Sequence, residues 1–189
     1  MARIERSPTR AAVYVRSRMG DEAVKALFSD IWHFFYPRLY AFISRMAFRE
    51  ADVEDAVQET LLKVYRNLKE YRMSYAVSTW VYSIARNYCL DQVRASRSSI
   101  RLVSEYELEI ESPYAKPEEV ILARETTEKV KLFIETLSPE DQQIAFLRFF
   151  EEMPYGEMSL VLRVPVGTLK YRVHAIRKRF RERKEDFDA

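Results

Sequence analysis

The sequence predicts an all-α protein: two small helical domains joined by an acidic linker. Three observations predict it. Glycine is scarce, three residues in 189, so the Gly-dependent turns of a many-stranded fold have few places to form. Apolar residues make up 48% of the chain and recur at steps of three and four rather than in alternation. The stretch SRSSIRLVSEYELEIESPYAKP, residues 96–117, breaks that periodicity with Ser, Glu and Pro.

In chain order, residues 1–20 carry five Arg and little apolar pattern, and are expected as a flexible basic arm. The first domain is expected over 21–96. Its first helix, from Asp21 to about Phe48, buries Val24, Leu27, Phe28, Ile31 and Phe35, then Leu39, Phe42, Ile43 and Met46. Pro37 is expected to kink or divide it. A second helix, N-capped near Asp52 and running to about Tyr71, turns Val53, Ala56, Val57, Thr60, Val64 and Leu68 inward. A third, from about Ser78 to Arg94, turns Val81, Ile84, Ala85 and Tyr88 inward. Residues 97–117 form the linker, and 118–189 the second domain.

There Ser138-Pro139 reads as N-cap and first helical residue, opening a helix with Ile144, Leu147 and Phe150 inside. Asp141 stands where a capping box prefers Glu or Gln. Pro154 opens a shorter helix carrying Tyr155, Met158, Val161 and Leu162.

Composition narrows the function. The lone Cys89, flanked by Tyr88 and Leu90, is expected to be buried, makes no internal disulfide, and suits a reducing cytoplasm. No apolar run approaches the roughly 20 residues of a membrane span, and the start lacks a signal-peptide core, so no membrane insertion is expected. His33 and His174 are the only histidines, with no HExxH, paired-cysteine or P-loop motif. No catalytic residue, metal or cofactor is expected, and the protein is not expected to be an enzyme.

The net charge of +2 conceals a segregated pattern. Arg163 to Lys184 holds nine basic residues against Glu182 alone, whereas Glu105 to Glu128 is acidic. A polyanion is the natural partner of the basic end.

The basic end has a shape. In VPVGTLKYRVHAIRKRF, residues 164–180, Pro165 suits a first helical turn and biases Val164 away from helix. Val166, Leu169, Val173, Ile176 and Phe180 form one apolar stripe. Thr168, Tyr171, His174, Ala175 and Lys178 project from the other side, flanked by Lys170, Arg177 and Arg181. A short helix, a tight turn and a basic second helix describe a helix-turn-helix, whose second helix enters a major groove. Arg163 occupies the turn position that glycine often fills to reach positive φ.

The first domain offers two further surfaces. Leu62 lies opposite the buried stripe of its helix, with Asp55, Gln58 and Glu59 around it. From Tyr71 to Arg94, Tyr71, Tyr75, Trp80, Tyr82 and Tyr88 alternate with Arg72, Arg86 and Arg94. Rings beside cations suit unstacked bases, although aromatics at helical spacing equally well pack inward.

These residues carry a resemblance. DVEDAVQET (52–60) resembles region 2.2 of bacterial extracytoplasmic-function (ECF) sigma factors of the sigma-70 family. STWVYSIARN (78–87), followed by Leu90-Asp91, is similar to regions 2.3 and 2.4, and YPRLY (36–40) to an earlier region 2 helix. Leu137-Ser138, Asp141-Gln142-Gln143 and VPVGTLK (164–170) resemble region 4.

The resemblance implies an alternative sigma factor that binds core RNA polymerase and directs it to promoter DNA. It implies that Asp55, Gln58, Glu59 and Leu62 dock on the clamp helices of the largest subunit, with the polymerase flap as a further contact. Asn67, Tyr71, Trp80, Arg86 and Asn87 would serve the minus-ten element, with a flipped base held by Asn67, Tyr71 and Asn87. Thr168, Lys170, Tyr171, Arg172, His174, Arg177 and Lys178 would serve the minus-thirty-five element. An anti-sigma factor is a further partner the resemblance allows. Tyr171, Ala175, Gly156 and Ser159 depart from the residues common in the family. The alternative is a stand-alone helix-turn-helix regulator with a sensing or dimerising first domain.

Overall fold

The structure, a computed structural model, describes residues 21–46, 50–68, 71, 75–99 and 130–187. Every regular element among them is helical. They are α1 (Asp21–Ile43), α2 (Glu50–Asn67), α3 (Val77–Ser99), α4 (Pro139–Ala145), a π-helical turn (Phe146–Phe150), α5 (Tyr155–Leu162) and α6 (Val166–Phe187). A further helical turn, 130–135, precedes α4. The linker's expected first residues, 97–99, instead continue α3, since no Gly or Pro interrupts the helix before Ser99. The expected arm, the rest of the linker and the start of the second domain lie outside the described residues.

The first helix group packs α2 against both α1 and α3, and α3 also meets α1. Ile31, Phe35, Leu39, Phe42 and Ile43 of α1 are fully buried, as are Val57, Thr60, Leu61 and Val64 of α2. Pro37 does not divide α1, which runs unbroken through it. An interior proline costs about 3 kcal/mol, whereas each large apolar side chain buried here returns about 1.5–3 kcal/mol. The buried stripe on both sides of Pro37 therefore outweighs the missing hydrogen bond. Arg38 adds to this by donating from Nη1 to the Phe34 carbonyl at 2.8 Å, its guanidinium lying 3.8 Å from the centre of the Phe34 ring.

In the second group α6 packs on α4 and α5. Ser138 caps α4 as expected, accepting from the Asp141 N–H at 3.2 Å, with Pro139 just inside. Leu169, Val173 and Ile176 of α6 are buried, and Phe180 meets Phe133 edge-on at 5.0 Å. Two expected core positions are exposed instead. Phe150 is 56% exposed because the chain widens into a π-helical turn from Phe146, with the Glu151 N–H reaching the Phe146 carbonyl. Extra residues per turn rotate the later side chains off the 3.6-residue phase, so Phe146 points inward and Phe150 outward. Val166 is exposed because it opens α6, while Val164 before it is half-buried against the core.

The two groups share one continuous core. It is joined at α3 and α5, which pack together, and at three rings. Phe42, Tyr82 and Phe146 have centroids 5.1 to 6.1 Å apart. Polar contacts surround the junction. The Thr79 hydroxyl donates to Glu157, Arg38 Nε lies 3.4 Å from Glu151, and Arg163 donates to Asn87 at 2.9 Å.

Candidate DNA and protein interfaces

The tight turn between α5 and α6 is residues 163–165, and it contains the strain expected of it. Arg163 has φ 53° and ψ 39°, the left-handed conformation. Neither left-handed position among the described residues is glycine, the other being Glu152 at φ 51°. A side chain in this region costs about 1–2 kcal/mol. At Arg163 that cost accompanies the hydrogen bond to the Asn87 side chain.

On α6 the outward face matches the expectation. Thr168, Lys170, Tyr171, His174, Arg177 and Lys178 are exposed, Tyr171 most of all at 74%. Lys178 lies 3.7 Å from Glu182, and the Arg177 guanidinium sits 5.3 Å from the Phe149 ring centre. Arg172 differs from these. Its guanidinium turns back to α4, with Nε 2.8 Å from Asp141 Oδ1 and Nη2 3.2 Å from Glu140 Oε2. Charge counted along the sequence does not separate Arg172 from its neighbours. The Asp at 141, in place of the capping-box Glu, is the available signal.

On α2, Asp55, Gln58 and Leu62 are exposed and Glu59 is half-buried. Leu62 therefore sits beside acids and an amide on the face away from α1 and α3. Gln58 donates to Glu54 at 3.4 Å, and Glu54 also accepts from the Tyr36 hydroxyl at 3.2 Å.

Of the five residues that the resemblance assigns to the minus-ten element, Tyr71 and Trp80 are in contact. The Tyr71 ring lies 4.7 Å from that of Trp80, and its hydroxyl donates to the Tyr75 carbonyl. Both rings are half-buried, between the two readings open at the sequence level. Asn67, at the end of α2, is exposed and donates to the Lys63 carbonyl at 2.8 Å. Asn87 shares the Trp80 face of α3 but lies seven residues on, about 10 Å at 1.5 Å per residue. Arg86 is half-buried with its Nε unpartnered. Burial lowers its pKa, and the positive charges of Arg163 and Arg94 lower it further.

A helical pair joined by a left-handed turn, basic and exposed on its second helix, defines a helix-turn-helix protein. A second helical group packed on its first helix carries the aromatic and acidic faces. Two family profiles match in the same order: Sigma-70 region 2 over residues 33–99, and Sigma-70 region 4 over residues 127–180. The chain is 36% identical over 137 residues to the ECF RNA polymerase sigma-E factor of Salmonella typhimurium, spanning 67% of this chain and 71% of that protein. It is 26% identical over 167 residues to the ECF RNA polymerase sigma factor SigW of Bacillus subtilis, spanning 84% of this chain and 89% of that one. Its fold resembles the sigma factor RpoE of Bartonella quintana, solved in complex with the anti-sigma factor NepR. There the TM-score is 0.62 at 23% identity, covering 82% of this chain and 94% of the other. The protein belongs to the ECF sigma factors of the sigma-70 family.

Proposed function

We infer that this protein is an alternative sigma factor that binds core RNA polymerase and directs promoter-specific initiation of transcription. The observation that carries the reading is the exposed basic face of α6 behind a tight turn, on the same chain as the acid-and-leucine face of α2. A stand-alone regulator would have no use for the second. Asp55, Gln58, Glu59 and Leu62 form the core-binding face, fitted to the clamp helices, with the flap as a second contact. Tyr71 and Trp80 form the stacking surface for an unpaired minus-ten base, with Asn67, Arg86 and Asn87 around it. Thr168, Lys170, Tyr171, His174, Arg177 and Lys178 meet the minus-thirty-five element. The factor itself carries out no chemistry and works in the cytoplasm. No described helix is long and apolar enough to cross a membrane. An anti-sigma factor is a natural regulator, as in the Bartonella complex.

Core binding tests the first step. Gln58→Ala combined with Leu62→Ala removes the centre of the α2 face, and both side chains are exposed, so helicity is expected to be unchanged. Affinity for core polymerase is expected to fall at least tenfold in a pull-down titration. Wild-type affinity in the double variant moves the docking face elsewhere.

A further inference from the structure

We propose that Arg172 is a positioning residue: it sets the angle at which α6 presents Lys170, Tyr171 and His174 to base edges, and it holds no phosphate. This rests on the promoter-recognition reading of α6 and assigns one member of the basic helix a different task.

The geometry separates Arg172 from Lys170, Arg177 and Lys178 of the same helix. Lys170, Arg177 and Lys178 are exposed, whereas the Arg172 side chain is 24% exposed and its partner Asp141 20%. Glu140, the second partner, is 76% exposed, so the Asp141 contact is the better shielded and the more persistent of the two. Two nitrogens of one guanidinium are already committed, Nε at 2.8 Å and Nη2 at 3.2 Å, to carboxylates on adjacent residues of α4. Two of its five N–H donors are thereby committed, and turning that edge of the guanidinium to a phosphate means releasing both and leaving Asp141 partly buried without its counter-charge.

The start of α4 shows why Asp141 is free to do this. Ser138 accepts the Asp141 N–H, the first half of a capping box. A Glu at this position would reach back to the Ser138 N–H. Asp is one methylene shorter, and its carboxylate crosses to α6 instead. Ser138, Asp141 and Arg172 thus make one chain of contacts from the first turn of α4 to the second turn of α6. Ile144 and Leu147, both buried, anchor the α4 end in the core. On α6, Arg172 lies between the base-facing Lys170–Tyr171 pair and His174, where a rotation of about 10–20° is enough to spoil base contacts. Lysine cannot replace it, because a single ammonium lacks the planar fork that spans two carboxylates.

The test uses holoenzyme on promoters randomised in the minus-thirty-five element, together with the salt dependence of promoter binding. Wild type is scored first. If it selects no sequence, the promoter-recognition reading of α6 fails, and the Arg172 proposal with it. Once wild type selects one, Arg172→Ala and Asp141→Asn are each expected to relax preference at the same positions by about tenfold. The double variant is expected to be no worse than either single one, with the salt slope as in wild type. Should Arg172→Ala fail to fold, Arg172→Lys keeps the charge and one partner, and is expected to relax selection with the slope unchanged. A slope reduced by about one in Arg172→Ala, with Asp141→Asn behaving as wild type, makes Arg172 a phosphate contact and overturns the proposal. Variants that lose thermal stability yet select the wild-type sequence overturn it as well, leaving Arg172 a purely structural ion pair.

Discussion

Arg163 shows how much, and how little, a single residue discloses through its place in the chain. Its position in the turn is readable from the spacing of Leu162 and Pro165, and the left-handed φ of 53° follows from that position. Its partner is not readable, since Asn87 is 76 residues away and no local pattern links them. The conformation has a testable consequence. Arg163→Gly and Arg163→Ala both lose the contact with Asn87, but only alanine retains a Cβ in the left-handed region. The glycine variant is expected to be more stable by about 1 kcal/mol, measured by urea denaturation. Equal stabilities, or the reverse order, would mean that the turn does not adopt this conformation. Cys89 is simpler. Its burial is legible from its neighbours, and burial pushes its thiol up to about 12, leaving it unreactive near neutral pH.

Among the elements, the helices with strong 3.6-residue stripes are legible in the sequence and the irregular ones are not. The stripe of α2 is legible almost completely, Leu61 being the addition, because the helix is regular and packed on one side. The π-helical turn after α4 escapes because periodicity assumes one pitch, which places Phe150 inside and passes over Phe146. The α6 stripe is correct at Leu169, Val173 and Ile176, and wrong at Val166, where the helix has only begun. Which exposed side chains of α6 read sequence depends on distance from its N-terminus. On the proposed reading, Lys178, two turns beyond Tyr171 and 67% exposed, is a phosphate contact rather than a base contact. Lys178→Ala is expected to lower output on all promoters alike and to reduce the salt slope by about one. Tyr171→Ala is expected to change the selected sequence at one position, at a cost of roughly 1–3 kcal/mol. Selection from a randomised minus-thirty-five library reads both, and wild-type selection with equal yield in both variants would remove α6 from DNA recognition.

At the scale of the molecule, the feature beyond sequence reading is the junction of the two helix groups. Each stripe can be assigned to an interior, but nothing local says that Phe42 and Tyr82 share theirs with Phe146. The junction encloses Glu151, whose side chain is 11% exposed, 3.4 Å from Arg38 and facing the Tyr82 hydroxyl without a well-aligned hydrogen bond. Burial pushes the Glu151 carboxyl above the usual carboxylate range, and Arg38 offsets only part of this. The Tyr82 hydroxyl is pushed well up as well, first by its own burial and then by Glu151. The folded state therefore holds the Glu151 proton to higher pH than the unfolded chain does. This group's contribution to stability is complete below the ordinary carboxylate pKa and declines as pH rises through the raised value. Glutamine mimics the protonated carboxyl at every pH. Glu151→Gln is therefore expected to unfold at a higher temperature than wild type at pH 7, with the two curves converging as pH falls toward 4. Thermal unfolding followed by circular dichroism across that range decides it. A variant less stable than wild type at pH 7 would show that the ion pair with Arg38, rather than burial, governs the carboxylate at the junction.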